Sequence, residues 1–144
     1  MARTLTTANS ALAIAIVGLY ATPQVIQGYS TDDSFAADDV SGVETQMGVD
    51  GYLSGGFTPV PTVLNINLQA DSLSNDFFDN WIAAQLTARE TYIANATINL
   101  PGLGTKYAFT KGFLTSHSPM PGSKKILQPR KFSITFESVS KANA

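Results

Sequence analysis

The sequence predicts a mainly β domain, an antiparallel β-sandwich or barrel with one flanking α-helix. Three observations predict it. Four stretches alternate apolar and polar residues with the period of two that sends successive side chains to opposite faces of a strand. Only the stretch after Asp71 carries apolar residues at helical spacing. Strands and helices do not alternate, so the rhythm of a parallel sheet is missing. A chain of 144 residues, 44% of them hydrophobic, suffices for one domain around one core, residues 1–144.

Met1–Ser10 is small and polar and reads as an N-terminal arm. Ala11–Leu19 (ALAIAIVGL) is apolar and rich in β-branched residues, which suits a buried strand that Gln24–Tyr29 continues after Pro23. The run falls short of the roughly 20 residues a bilayer requires. Arg3 before it and Tyr20-Ala21-Thr22 after it give a weaker signal-peptide reading. Ser30–Ser41 reads as a polar loop. Its Asp32, Asp33, Asp38 and Asp39 could hold a hard cation, but the spacing is not that of an EF-hand and no Glu closes it, so no metal is assigned.

Val43, Thr45, Met47 and Val49 alternate with Glu44, Gln46 and Gly48, and Asp50-Gly51 then signals a tight turn. Tyr52–Pro61, rich in Gly and Pro, reads as a loop or irregular edge. In the central strand Thr62–Ala70, Leu64, Ile66, Leu68 and Ala70 oppose Asn65, Asn67 and Gln69. Asp71, Ser72 and Ser74 offer side-chain oxygens to the free N–H groups of a helix start. The helix Leu73–Leu86 follows, with Phe77, Phe78, Trp81, Ile82 and Leu86 as its packing stripe and Asp76 near its positive end. Burying each large apolar side chain contributes roughly 1.5–3 kcal/mol before the cost of ordering it.

Ala94–Leu100 alternates again, with Asn95, Thr97 and Asn99 on the wet side; Pro101–Gly104 turns. Tyr107–Leu114 is a strand and Thr115–Arg130 a long basic loop with three prolines. Phe132, Ile134 and Phe136 oppose Ser133, Thr135 and Glu137 in a final strand, and residues 140–144 read as a frayed tail.

Composition removes several kinds of chemistry. With no cysteine there are no disulfides, no thiolate nucleophile and none of the usual structural zinc sites. A net charge of −2 gives no overall pull toward nucleic acid or membrane. His117 is the only histidine. Ser116 and Ser118 flank it, but sequence neighbours rarely face one another and no Gly-x-Ser-x-Gly elbow is present. Gly51–Gly56 lacks the lysine and spacing of a phosphate-binding loop, and Asn95-Ala96-Thr97 is a glycosylation sequon by pattern alone. Asp71 and Asp76 suit capping better than acid–base work. The chain is read as a non-enzyme without cofactor or small-molecule substrate.

Charge is unevenly distributed. Through residue 60 the only base is Arg3, against Asp32, Asp33, Asp38, Asp39, Glu44 and Asp50; after residue 100 the only acid is Glu137. The arrangement fits two solvated surfaces, or head-to-tail association in which the acidic region of one copy meets the basic region of the next. The wet sides of the four alternating strands carry amides, hydroxyls and two acids, without Lys or Arg. That fits an ordinary solvated face, or a wall past which polyanionic DNA slides without sticking.

Val43–Gly51 (VETQMGVDG), the alternating strand ending at Gln69, Ser72–Phe78 (SLSNDFF) leading a helix and the final strand Phe132–Val139 together resemble the tail tube proteins of contractile-tailed bacteriophages. These are similar in fold to type VI secretion tube proteins. The resemblance covers roughly residues 10 to 140, with Tyr52–Pro61 and Thr115–Arg130 as departures. It implies a virion structural protein, assembled in the host cytoplasm, whose hexameric rings stack into a hollow tube for DNA ejection. Implied partners are further copies of the chain, a tail sheath protein, and baseplate and neck proteins, with genomic DNA passing through unbound. On that reading Glu44, Gln46, Asn65, Asn67, Gln69, Asn95, Thr97 and Asn99 line the lumen. Asp32, Asp33, Asp38, Asp39, Lys124, Lys125, Arg130 and Lys131 are the expected contacts between copies. The alternatives are a baseplate tube initiator or tail terminator of the same fold, and a monomeric β-barrel binding module.

Overall fold

A computed structural model describes residues 11–26, 35–101 and 103–143. Among these it forms nine strands and one helix: β1 Ala11–Ile16, β2 Tyr20–Ile26, β3 Phe35–Ala37, β4 Val43–Met47, β5 Leu53–Phe57, β6 Thr62–Leu68, α1 Ser74–Ala88, β7 Ala94–Leu100, β8 Thr105–His117 and β9 Arg130–Asn143. Seven strands make one antiparallel sheet in the order β2-β1-β7-β8-β9-β6-β3, and β4 and β5 pair as a separate two-stranded ribbon. Among the described residues neither sheet closes into a barrel; the chain is mainly β, with two sheets and one flanking helix.

Four local readings change. The apolar run at Ala11 does not continue past Pro23 as one strand. It folds back as a β1–β2 hairpin, because Gly18 takes a φ of 87° and the Leu19 N–H donates to the Ile16 carbonyl at 3.1 Å. The Gly-rich segment after the Asp50-Gly51 turn is strand β5, paired residue for residue with β4. Glycine weakens a strand, but here the turn sets the register. Phe35–Ala37, in the stretch read as a loop, adds to the edge of β6. The C-terminal residues 140–143 are not frayed: β9 runs to Asn143, paired with β8 back to Thr105. β8 likewise extends to His117, shortening the basic loop.

The core lies between one sheet face and α1. Leu12, Ile14, Ile16, Leu64, Ile66, Leu68, Ile134 and Phe136 are fully buried, each on the dry side of its strand. From the helix, Phe78 stacks on Phe132 with ring centroids 4.1 Å apart, Trp81 is fully buried, and Phe77 meets Tyr20. Ile82 is half-buried. Leu86, expected in the same stripe, is 74% exposed, since five residues carry it about 140° round the helix from Trp81. The helix starts at Ser74, whose N–H bonds to the Ser72 hydroxyl at 3.2 Å. It ends where Arg89 turns left-handed at φ 52° without a glycine.

Midway along β8 and β9 the sheet bends. Lys111 is left-handed at φ 53°, and the apolar positions of β9 shift by one, from the buried Phe132, Ile134 and Phe136 to Val139, which is 37% exposed. Gly112 sits at the bend because the Phe136 ring occupies the place a Cβ would need.

Candidate functional site

The site suggested by the sequence is a surface, and the sheet register decides which residues share it. Asn95, Thr97 and Asn99 of β7 are all exposed, opposite Ala15, Ala13 and Ala11 of β1. Across β8 and β9 the row through Thr97 continues with Ala108 and Ser140, and the row through Asn99 with Lys106 and Ala142. The outer face therefore combines small, hydroxyl and amide side chains with Lys106. On β6, Asn65 and Asn67 point to the polar face, opposite Ser133 and Lys131. Gln69 is exposed just beyond the end of β6.

Pairing also corrects the idea that this face is free of bases. Lys106 stands directly opposite Asn99 and Lys131 directly opposite Asn67, both exposed. Reading each strand's wet side separately could not show this, because β8 contributes its face only through register. Glu44 and Gln46 do not join the other six candidates. They lie on β4, in the separate ribbon.

Several of the polar groups are already engaged. Asn65 donates to the Asp38 carboxylate at 2.6 Å and accepts from the Ser133 hydroxyl at 2.7 Å, tying β3's exit to β6 and β9. The Asn95 side-chain oxygen accepts the Lys111 N–H at 3.1 Å, satisfying the backbone at the bend. Asn67, Gln69, Thr97 and Asn99 are the candidates left to face outward.

Of the expected contacts between copies, Asp32 and Asp33 lie outside the described residues. Asp38, Asp39, Lys124, Lys125 and Lys131 are exposed. Arg130 differs: it is 4% exposed, and its guanidinium makes two bonds to Asp79, at 2.8 and 3.1 Å. It also donates to the Ser118 carbonyl and lies 5.0 Å over the Phe132 ring. The forked geometry matches a carboxylate, so Arg130 is an internal clamp joining α1 to the start of β9 and not a contact for another copy.

The surface that strand-by-strand reading underestimates is the β4–β5 ribbon. Every residue of both strands is exposed. Val43 opposes Phe57 and Met47 opposes Leu53, so four apolar side chains share one side of the ribbon; Glu44 and Gln46 take the other. Phe57 is 81% exposed. The alternation of β4 is legible in the sequence, but Gly55 and Gly56 hide that Leu53 and Phe57 belong to a strand.

A second unfilled feature is an open cavity of about 420 Å³ at the end of the core not occupied by α1, between β3, β6 and the β7–β8 pair. Phe35, Val40, Leu64, Ile98, Leu100, Tyr107, Phe109 and Val139 line it. His117 is exposed at the end of β8, where successive strand residues point to opposite faces and Ser116 does not face it. Among the described residues no three His, Asp or Glu converge as a metal site.

Comparison with solved structures gives the same fold along nearly the whole chain. A chain of the sheath/tube terminator of an extracellular contractile injection system, PVC, in its extended state, overlays with a TM-score of 0.62 at 15% identity, covering 91% of this chain and 92% of that one. A chain of the tube-terminating cap of the anti-feeding prophage gives 0.60 at 12% identity, over 100% and 94%. A chain of the PVC sheath–tube complex gives 0.58 at 15%, over 92% and 88%. The fold is therefore that of the tube and tube-end proteins of contractile injection systems, as the resemblance implied. No curated protein sequence matches. A family model described as tail fiber protein gp32 matches residues 3–140, and the chain belongs to that family.

Proposed function

We propose that the chain is a ring-forming structural component of a contractile tail, placed at an end of the tube as terminator, cap or baseplate initiator. The observation that carries the reading is the overlay over more than nine-tenths of both chains with a tube terminator, alongside the terminating cap. A similar overlay with a baseplate chain, at a TM-score of 0.54, supports the same placement. The subunit is also visibly incomplete. Among the described residues β2 and β3 are the outermost strands of the large sheet, and the ribbon exposes an apolar side. Open edges and bare apolar faces invite further copies. A fibre shaft would favour lengthwise repeats, and the sequence has none.

The second reading is the repeating tube subunit itself, favoured by the overlay with the sheath–tube complex. Hexameric rings would then stack into the conduit for DNA ejection inside a sheath. In both readings Asn67, Thr97 and Asn99, with Asn65, Asn95 and Gln69 beside them, face the channel. Asp38 and Asp39 of one copy approach Lys124 and Lys125 of another, and the particle is a virion assembled in the host cytoplasm.

Electron microscopy of the purified chain over a concentration series tests the reading. Rings that do not stack are expected of a tube-end component. Long hollow tubes from this chain alone would move it to the tube body. Monomers at every concentration would sink ring formation and favour a binding module.

A further inference from the structure

Among the described residues two apolar surfaces lack a cover, and they have matching chemistry. One is the ribbon side carrying Val43, Met47, Leu53 and Phe57, exposed by 58, 63, 63 and 81%. The other is the cavity beyond the reach of α1, walled by residues such as Leu64, Ile98, Phe109 and Val139. No ribbon residue lines that cavity, although the ribbon begins only three residues after Val40 on its rim. The root is held on both sides. The Asp38 N–H donates to the Val63 carbonyl at 2.9 Å and the Thr58 N–H to the Gly42 carbonyl at 2.8 Å. The ribbon thus stands away from the cavity it leaves.

We propose that the ribbon of one copy seats its apolar side in the cavity of the next copy, with Phe57 and Leu53 as the entering side chains. The proposal rests on the ring-forming reading and names the contact that would join neighbours. Size agrees: a cavity of roughly 150 Å³ accepts a benzene. A volume of about 420 Å³ therefore receives two or three apolar side chains, such as Phe57, Leu53 and Met47. Polarity agrees as well, since Glu44 and Gln46 stay on the outer side of the ribbon when the apolar side is covered. A knob and a hole at different places on one chain make a head-to-tail contact, which closes into a ring or runs on as a stack. A two-stranded ribbon alone is marginal in water, so the neighbour also stabilises the ribbon's own pairing.

The chain contains no cysteine, so thiol cross-linking has no background. Two full-length variants, Phe57→Cys and Val139→Cys, are mixed under oxidising conditions with a short thiol cross-linker, and ring content is followed in the same samples by electron microscopy. Both positions are exposed in the single subunit, so folding is spared. The expected result is a cross-linked dimer that needs both variants, at least tenfold above either variant alone and above a mixture of Val49→Cys, at the ribbon tip, with Val139→Cys. Rings without that cross-link overturn the ribbon-in-cavity contact and leave ring formation standing. Absence of both rings and cross-link overturns both. An intramolecular cross-link in the diluted Phe57→Cys/Val139→Cys double variant, with none between mixed single variants, shows the ribbon covering its own cavity and also overturns the proposal. As a second measure, Phe57→Asp is expected to raise the concentration needed for assembly at least tenfold; unchanged assembly would contradict it.

Discussion

The helix-backed sheet and the β4–β5 ribbon are built on the same alternation, yet only one of them finishes its own burial. In β6 the dry residues Leu64, Ile66 and Leu68 are fully buried. In β4 the equivalent residues Val43 and Met47 stay more than half exposed. The difference is a covering layer. α1 supplies Phe77, Phe78 and Trp81 over the sheet, and nothing among the described residues does so for the ribbon. Period-two patterning specifies which side of a strand wants to be dry; it does not specify whether the same chain keeps it dry. A strand whose partner layer is another subunit has the same sequence signature as a core strand.

The sharpest way to break this comparison is at the helix. Trp81→Ala removes the largest fully buried side chain. It is expected to cost about 3–5 kcal/mol of unfolding free energy, the range for large-to-small changes in a packed core. Denaturant unfolding of the dilute subunit measures it, and a loss under 1 kcal/mol would mean that α1 is not the cover of the sheet.

The clamp between Arg130 and Asp79 gives a smaller, asymmetric effect. The Arg130 side chain is 5% exposed and that of Asp79 is 49%. Asp79→Ala leaves a guanidinium inside with the Ser118 carbonyl as its remaining hydrogen-bond acceptor, and about 2–4 kcal/mol is expected, since a buried charge is left without its counter-ion. Arg130→Met leaves a carboxylate that water can reach and an aliphatic chain that still packs on Phe132, so about 1 kcal/mol is expected. The same unfolding measurement on both variants checks the order. Equal losses would show that Arg130 is more hydrated than its burial indicates.

Local chemistry made much of the fold legible. The strands at Thr62, Ala94 and Phe132, the helix with Phe77, Phe78 and Trp81, and the Asp50-Gly51 turn all follow from periodicity and turn residues. What escaped depends on pairing across the chain. β5 and β3 are strands because a neighbour offers them a ladder, against the weak propensity of Gly55, Gly56 and the alanines. In the sequence Arg130 is one more base in a basic loop; the carboxylate that draws it inward is Asp79, far away in sequence. Lys106 and Lys131 entered the polar face only through register. The candidate surface was thus half visible: its amides could be read, and its bases and the apolar ribbon beside it could not.

The smallest effect on the single subunit is expected on the exposed ribbon. Phe57→Ser deletes an aromatic ring that is 81% exposed. Its cross-strand neighbour Val43 is itself 58% exposed, so little area returns to water. The dilute subunit should keep its unfolding free energy within about 0.5 kcal/mol, as surface substitutions do. A loss of about 2 kcal/mol or more in that measurement would mean that Phe57 is buried against its own sheet in solution, and the contrast between a finished core and an unfinished ribbon would fail. An unchanged subunit together with impaired ring formation would instead place the covering layer for the ribbon in a neighbouring copy.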